Sequence, residues 1–178
     1  NVLTILFNGS GNNAVSGTTS SLEIRKLLIK KGTGSISFNV PLSLAIGTTP
    51  SPDSLTLISG TLIINNSGTS IKLWSKPQNG GNDNIRSGTT LQLNAGTIST
   101  DTFWTVSGTL RVNGGTLNLG NAPEDSLQIK SGGSFIINGG TVNMSGSLRL
   151  GTGTFSMSGG ILNSATAGNP PDTVLHIL

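Results

Sequence analysis

Phe103-Trp104-Thr105-Val106-Ser107-Gly108-Thr109-Leu110-Arg111-Val112-Asn113-Gly114-Gly115-Thr116-Leu117-Asn118-Leu119-Gly120 holds three short stretches in which apolar and polar residues alternate. They are Phe103 to Val106, Thr109 to Asn113 and Thr116 to Leu119. Alternation with a period of two marks a strand with one buried face. Each stretch is bounded by Ser, Asn or Gly, residues that tolerate turns and positive φ. The unit therefore reads as three strands joined by three corners.

The same unit recurs on both sides. Leu91-Gln92-Leu93-Asn94-Ala95-Gly96-Thr97-Ile98 matches Leu110 to Leu117. Phe135 to Val142 and Phe155 to Leu162 are further copies. The second glycine position falls at 96, 115, 140 and 160, so insertions are absorbed in loops and not in strands. A second pattern, Asp-[Ser/Thr]-apolar-x-apolar-x-Ser-Gly, starts at Asp53, Asp101 and Asp125, intervals of 48 and 24 residues. A shortened copy begins at Asp83, a weaker one at Gly146 and a partial one at Asp172. A period of about 24 residues means stacked units, none of which buries its apolar face alone.

A coil that winds once per repeat returns each residue type to the same place. Equivalent strands then pair in parallel, about 4.8 Å apart. The expected fold is all-β: a right-handed, single-stranded parallel β-helix of about seven coils, with three short strands per coil. The handedness comes from the general crossover rule. Leu55, Phe103, Leu127 and Leu148 are expected to form one inward row. Leu62, Leu91, Leu110, Phe135 and Phe155 form a second, and Ile98, Leu117, Val142 and Leu162 a third. Leu22 to Ile29, the one stretch open to a helical reading, is taken as strand. Residues 1–178 make one segment, less regular over 1–52 and regular over 53–178. Strand-like residues at both ends lead to the expectation of a piece of a longer polypeptide.

Composition narrows the function classes. Glycine is 26 of 178 residues and charged residues only 10%, against about 25% in an average protein. Ser, Thr and Asn fill the outward positions instead, which suits closely stacked strands. The net charge is +3, and the one basic cluster is Arg25, Lys26, Lys30 and Lys31. No aromatic residues interleave with it, so nucleic acid is not an expected partner. The cluster reads as a solvated strand edge, or as a weak contact for acidic polysaccharide. Absence of Cys removes disulfides and thiolate metal sites. No apolar run is long enough to span a membrane.

Few residues offer chemistry. Asp53, Asp101 and Asp125 share one repeat position and could form an acidic column for calcium or catalysis. Each follows a loop directly, where a carboxylate caps a turn, and that reading is preferred. The calcium nonapeptide is absent, and no catalytic set assembles around His176, the only histidine. Gly151-Thr152-Gly153 is a turn and not a phosphate loop. Trp74 lies beside an insertion and Trp104 is expected to face outward, so either could stack on a sugar ring or stabilise the surface. Asn94, Asn113 and Asn138, with Ser158 in the last copy, are expected to form a structural ladder that also satisfies backbone groups at the corner. Insertions at 47–52, 75–82, 120–124 and 165–171 gather on one edge, the first place to look for binding. Thr97, Thr116 and Thr141 also align, a row that ice binding would need, but Ile161 interrupts it.

These strings resemble the parallel β-helix repeats of large bacterial surface and adhesin-like proteins, of the type IX-secreted or autotransporter-passenger kind. Phe7-Asn8-Gly9-Ser10-Gly11, Val15-Ser16-Gly17-Thr18 and Leu55 to Asn65 carry the resemblance. It implies export to the cell surface and a structural or adhesive role. The implied partners are further repeats of the same parent chain, surface glycans or other cells. It brings no catalytic residue and no cofactor. The expected function is a rigid stalk or ligand-presenting rod. A polysaccharide-binding or polysaccharide-degrading β-helix is the main alternative, and an ice-binding solenoid a lesser one.

Overall fold

The computed structural model describes residues 4–44, 55–73, 84–164 and 175–177. Within them the chain is all-β, without a helix. The first coil holds β1 (Thr4–Asn8), β2 (Asn13–Val15) and β3 (Leu22–Ile24). Two longer coils follow, β4 (Lys26–Phe38) with β5 (Leu42–Leu44), and β6 (Leu55–Ile64) with β7 (Ser70–Leu73). Next come β8 (Thr89–Leu93) and β9 (Thr97–Thr100), then β10 (Trp104–Val106), β11 (Thr109–Val112) and β12 (Thr116–Leu119). The last coils are β13 (Leu127–Ile129), β14 (Ser134–Ile137) and β15 (Thr141–Met144), then β16 (Leu148–Leu150), β17 (Thr154–Met157) and β18 (Ile161–Ser164). The strand β19 (Leu175–Ile177) opens one more.

Strands pair across coils and not along the chain. The largest sheet runs β1-β4-β6-β8-β11-β14-β17, with β2 also on β4. A second runs β7-β9-β12-β15-β18 and a third β10-β13-β16-β19, while β3 pairs with β5. Leu110 sits in parallel register with Leu91 on one side and Phe135 on the other. The path makes about six turns of a parallel β-solenoid, close to the seven coils expected.

The core is a set of inward rows. Ile36, Leu62, Leu91, Leu110, Phe135 and Phe155 follow one another in register. Ile71, Ile98, Leu117, Val142 and Leu162 form the row on the second sheet. In the middle coils these side chains are fully covered, and each contributes about 1.5–3 kcal/mol by leaving water. Cover thins toward the two ends, where Ile5, Phe7, Val15, Phe155 and Leu162 are only partly buried.

Corner chemistry explains the glycine pairs. Gly96, Gly115, Gly140 and Gly160 all have positive φ, between 70° and 84°, which other L-residues adopt at a cost. Ala95 stands before Gly96, and the glycine before each of the other three has a different reason. A side chain at Gly114 would collide with the Asn94 carbonyl, and one at Gly139 would lie 2.5 Å from the Asn113 carbonyl.

Two expectations need correction. The first and second stretches are not always separate strands, because β4 and β6 run through the corner, β4 with register shifts between Ile29 and Ser35. Leu55 accordingly pairs with Leu27 in the largest sheet and not with the row of Leu127 and Leu148. In that row the residue beside Leu127 is Trp104, not Phe103. The reason is a corner of unequal length. Val106 and Thr109 are three positions apart, whereas their partners Ile129 and Ser134 are five apart. Aligning the two copies on Ser-Gly therefore misplaces the strand by one residue, which inverts its faces.

Phe135 and Phe155 are neighbours in one row, with ring centroids 5.6 Å apart. Phe135→Ala should destabilise the chain by about 3–5 kcal/mol, the range for a buried phenylalanine. Phe155→Ala, in the thinner cover, should cost clearly less. Urea midpoints of the two variants would check this, and equal losses would contradict the burial gradient.

Candidate functional site

Among the described residues, short uncharged side chains stand in rows on the outer surface. At the corner after the largest sheet, Asn39 Nδ2 donates to Ser16 Oγ at 3.2 Å and Asn65 Nδ2 to Asn39 Oδ1 at 2.9 Å. Asn94 Nδ2 donates to Asn65 Oδ1 at 2.6 Å, Asn113 Nδ2 to Asn94 Oδ1 at 2.9 Å, and Asn138 Nδ2 to Asn113 Oδ1 at 2.9 Å. Ser158 Oγ closes the run by donating to Asn138 Oδ1 at 3.0 Å. Five asparagines thus stand between two serines, every donor pointing toward the N-terminal end. Aligned amides of this kind polarise one another.

The ladder does less for the backbone than the sequence led one to expect. Asn113 N donates to Leu93 O at 2.8 Å and Asn138 N to Val112 O at 2.8 Å, so backbone groups at the corner satisfy each other. The amides face solvent instead, and Asn113 and Asn138 are exposed. The corner is close-packed by glycine backbone and is not a buried amide pocket.

A second ladder escaped the sequence reading. Asn163 donates to Asn143 at 2.9 Å, Asn143 to Asn118 at 2.7 Å, and Asn118 to Ser99 Oγ at 3.1 Å. Its signal was present in Leu117-Asn118-Leu119, Val142-Asn143-Met144 and Leu162-Asn163-Ser164, which share one register. The outward Thr97, Thr116 and Thr141 do align, with Ile161 at the end of that row, 55% exposed. A longer hydroxyl row lies on the largest sheet. Ser35, Thr61, Thr90, Thr109, Ser134 and Thr154 follow one another in register.

The other candidates separate. Trp104 is only 3% exposed and faces the core, so it is not a surface platform for a sugar ring. Its indole nitrogen is buried without a hydrogen-bond acceptor, which offsets part of the gain from burying the ring. Trp74 and Asp53 lie outside the described residues, as do all the insertions except 120–124. The two described members of the acidic column have separate partners. Asp101 lies 3.1 Å from Lys72 Nζ. Asp125 Oδ2 accepts from the backbone N–H groups of Asn121 and Ala122, each at 3.0 Å, which is the turn-capping role. Among the described residues no three His, Cys, Asp or Glu side chains gather as a metal site. His176 falls in β19, in backbone register with Arg149. In the basic cluster Lys31 is buried, its ammonium held by Asn8 O at 3.1 Å and Asn13 Oδ1 at 2.6 Å.

Among the described residues no helix is long and apolar enough to cross a membrane. The chain matches no known family model, no curated protein and no solved structure.

Asn113→Ala removes one donor and one acceptor from an exposed ladder whose backbone is already satisfied. It should lower stability by about 0.5–1.5 kcal/mol, the range for ordinary hydrogen bonds and well short of a core truncation. The urea midpoint should fall with an unchanged slope. A loss as large as that of Phe135→Ala would mean that the amide row, not the apolar core, holds the coils together.

Proposed function

We propose that this chain is a structural segment of an exported bacterial cell-surface protein, a rigid rod that spaces or presents other parts of its parent chain. One observation carries the reading: order runs along the axis in the core rows and in both amide ladders. No described group of side chains converges on a point where a substrate could be held and changed. General acid–base or nucleophilic chemistry needs such convergence. With a rise of about 4.8 Å per coil, six turns give a rod of roughly 30 Å.

A second reading, binding of a neutral polysaccharide, draws on the hydroxyl row from Ser35 to Thr154. It offers donors and acceptors at a regular spacing without charge. A glycan array probed with the chain and with the double variant Thr90→Val, Thr109→Val would separate the two readings. Binding lost in the variant would favour glycan recognition, and no binding by either would leave the rod.

As a structural segment the chain should release no reducing ends or unsaturated products from pectin, alginate or chondroitin-like polymers. Turnover that disappears in Asp101→Asn or Asp125→Asn would overturn the proposal and make the acidic positions an active site.

A further inference from the structure

Two constraints meet at the corner after the largest sheet and produce a chemically labile pair. The amide ladder asks for Asn, and the close approach of the preceding coil asks for Gly next. Asn113-Gly114 and Asn138-Gly139 result. Asn-Gly is the dipeptide most prone to deamidation, because glycine leaves the following backbone nitrogen unshielded. In that reaction the Gly nitrogen loses its proton to base and bonds to the Asn Cγ. The Cγ–Nδ2 bond breaks and ammonia leaves. Water then opens the cyclic imide to aspartate or isoaspartate.

The structure blocks this step at three atoms. Asn113 Nδ2 is held on Asn94 Oδ1, and Asn113 Oδ1 is held by Asn138 Nδ2, each at 2.9 Å. The nucleophile is engaged too, since Gly114 N donates to Leu93 O at 3.3 Å. Asn138 is held in the same way, between Asn113 at 2.9 Å and Ser158 Oγ at 3.0 Å, while Gly139 N donates to Val112 O at 3.3 Å. Both amides would have to leave the ladder and rotate before Cγ could meet the backbone nitrogen.

The chain supplies its own comparison. Asn8-Gly9 closes β1 at the first coil, where Gly9 has φ of 90° and a side chain would meet nothing within 4 Å. Asn8 is exposed and stands outside the ladder, which starts at Ser16. Asn79-Gly80 lies outside the described residues.

We infer that Asn113 and Asn138 are conditional deamidation sites, protected by the amide ladder and converted only when their coils open. Conversion at one position alters the ladder around it. Aspartate at 113 cannot donate to Asn94 and places a charge between two amides. Isoaspartate adds a methylene to the main chain at a corner that has no slack. Aspartate at 138 cannot donate to Asn113 Oδ1, so conversion there loosens the rung at 113, whereas aspartate at 113 still accepts from Asn138 Nδ2.

The test is to hold the whole chain at 37 °C and mildly alkaline pH, then locate each one-dalton gain by fragment-ion mass spectrometry. In the folded chain Asn113 and Asn138 should convert at least about tenfold more slowly than Asn8, because exchange waits for local opening. In 8 M urea, a concentration chosen for the assay, the three rates should converge. Asn94→Ala, which removes the acceptor of Asn113, should speed conversion at 113 and leave Asn8 unchanged. Should that variant fail to fold, Ser158→Ala makes the same demand of Asn138. Folded-state rates at 113 and 138 equal to that at Asn8, or equal differences with and without urea, would overturn the inference.

Discussion

Parallel pairing between successive coils is the constraint on which everything else rests. Because each strand bonds to its counterpart one turn earlier, a residue at one position meets the same position about 4.8 Å away. Like must then tolerate like. Apolar side chains do so readily, which gives the rows Ile36 to Phe155 and Ile71 to Leu162. Carboxylates and ammonium groups do not, since like charges stacked at this spacing repel. Asparagine is the polar residue best suited to the geometry, because one amide is both the donor and the acceptor that its neighbour needs. The low charge of the chain and its two amide ladders follow from the same rule.

The corners show the cost of that rule. Coils must approach closely enough for bonds such as Thr116 N to Gly96 O at 2.8 Å, and Thr141 N to Gly115 O at 2.9 Å. At Gly114 and Gly139 the carbonyl of the preceding coil leaves no room for a side chain, so these two are fixed by their neighbours and not by their own torsions. Glycine is usually a source of looseness. Here it is what lets the backbone of one turn close upon the next.

Much of the fold was legible because strand rows repeat in sequence. The Leu91, Leu110, Phe135 row could be aligned by eye, since Gly-Gly-Thr follows each strand or nearly so. Trp104 was misplaced because the corner that follows its strand changes length between coils, and Ser-Gly lies inside that corner in both copies. A short motif of turn residues carries no information about which face the next side chain takes. Asn39 and Asn65 were missed as ladder members because Val40 and Asn66 follow them, so the glycine flag is absent. The ladder of Asn118, Asn143 and Asn163 was missed for another reason. A lone Asn between two apolar residues reads as an ordinary outward position until the partner strand is known. Function was barely legible, since rows describe a scaffold and a scaffold is compatible with many tasks.

The orientation of the hydrogen bonds has a mechanical meaning. Strands lie across the axis, so the bonds between coils point along it. Tension applied to the two ends therefore loads them one coil at a time, as a zipper is opened, and not all together in shear. Each coil that yields between Asn113 and Asn138 would free 25 residues. Fully extended, that length spans roughly 85 Å, in exchange for about 4.8 Å of rod. Under load the molecule is a stack of extensible links, stiff until a threshold force and then long.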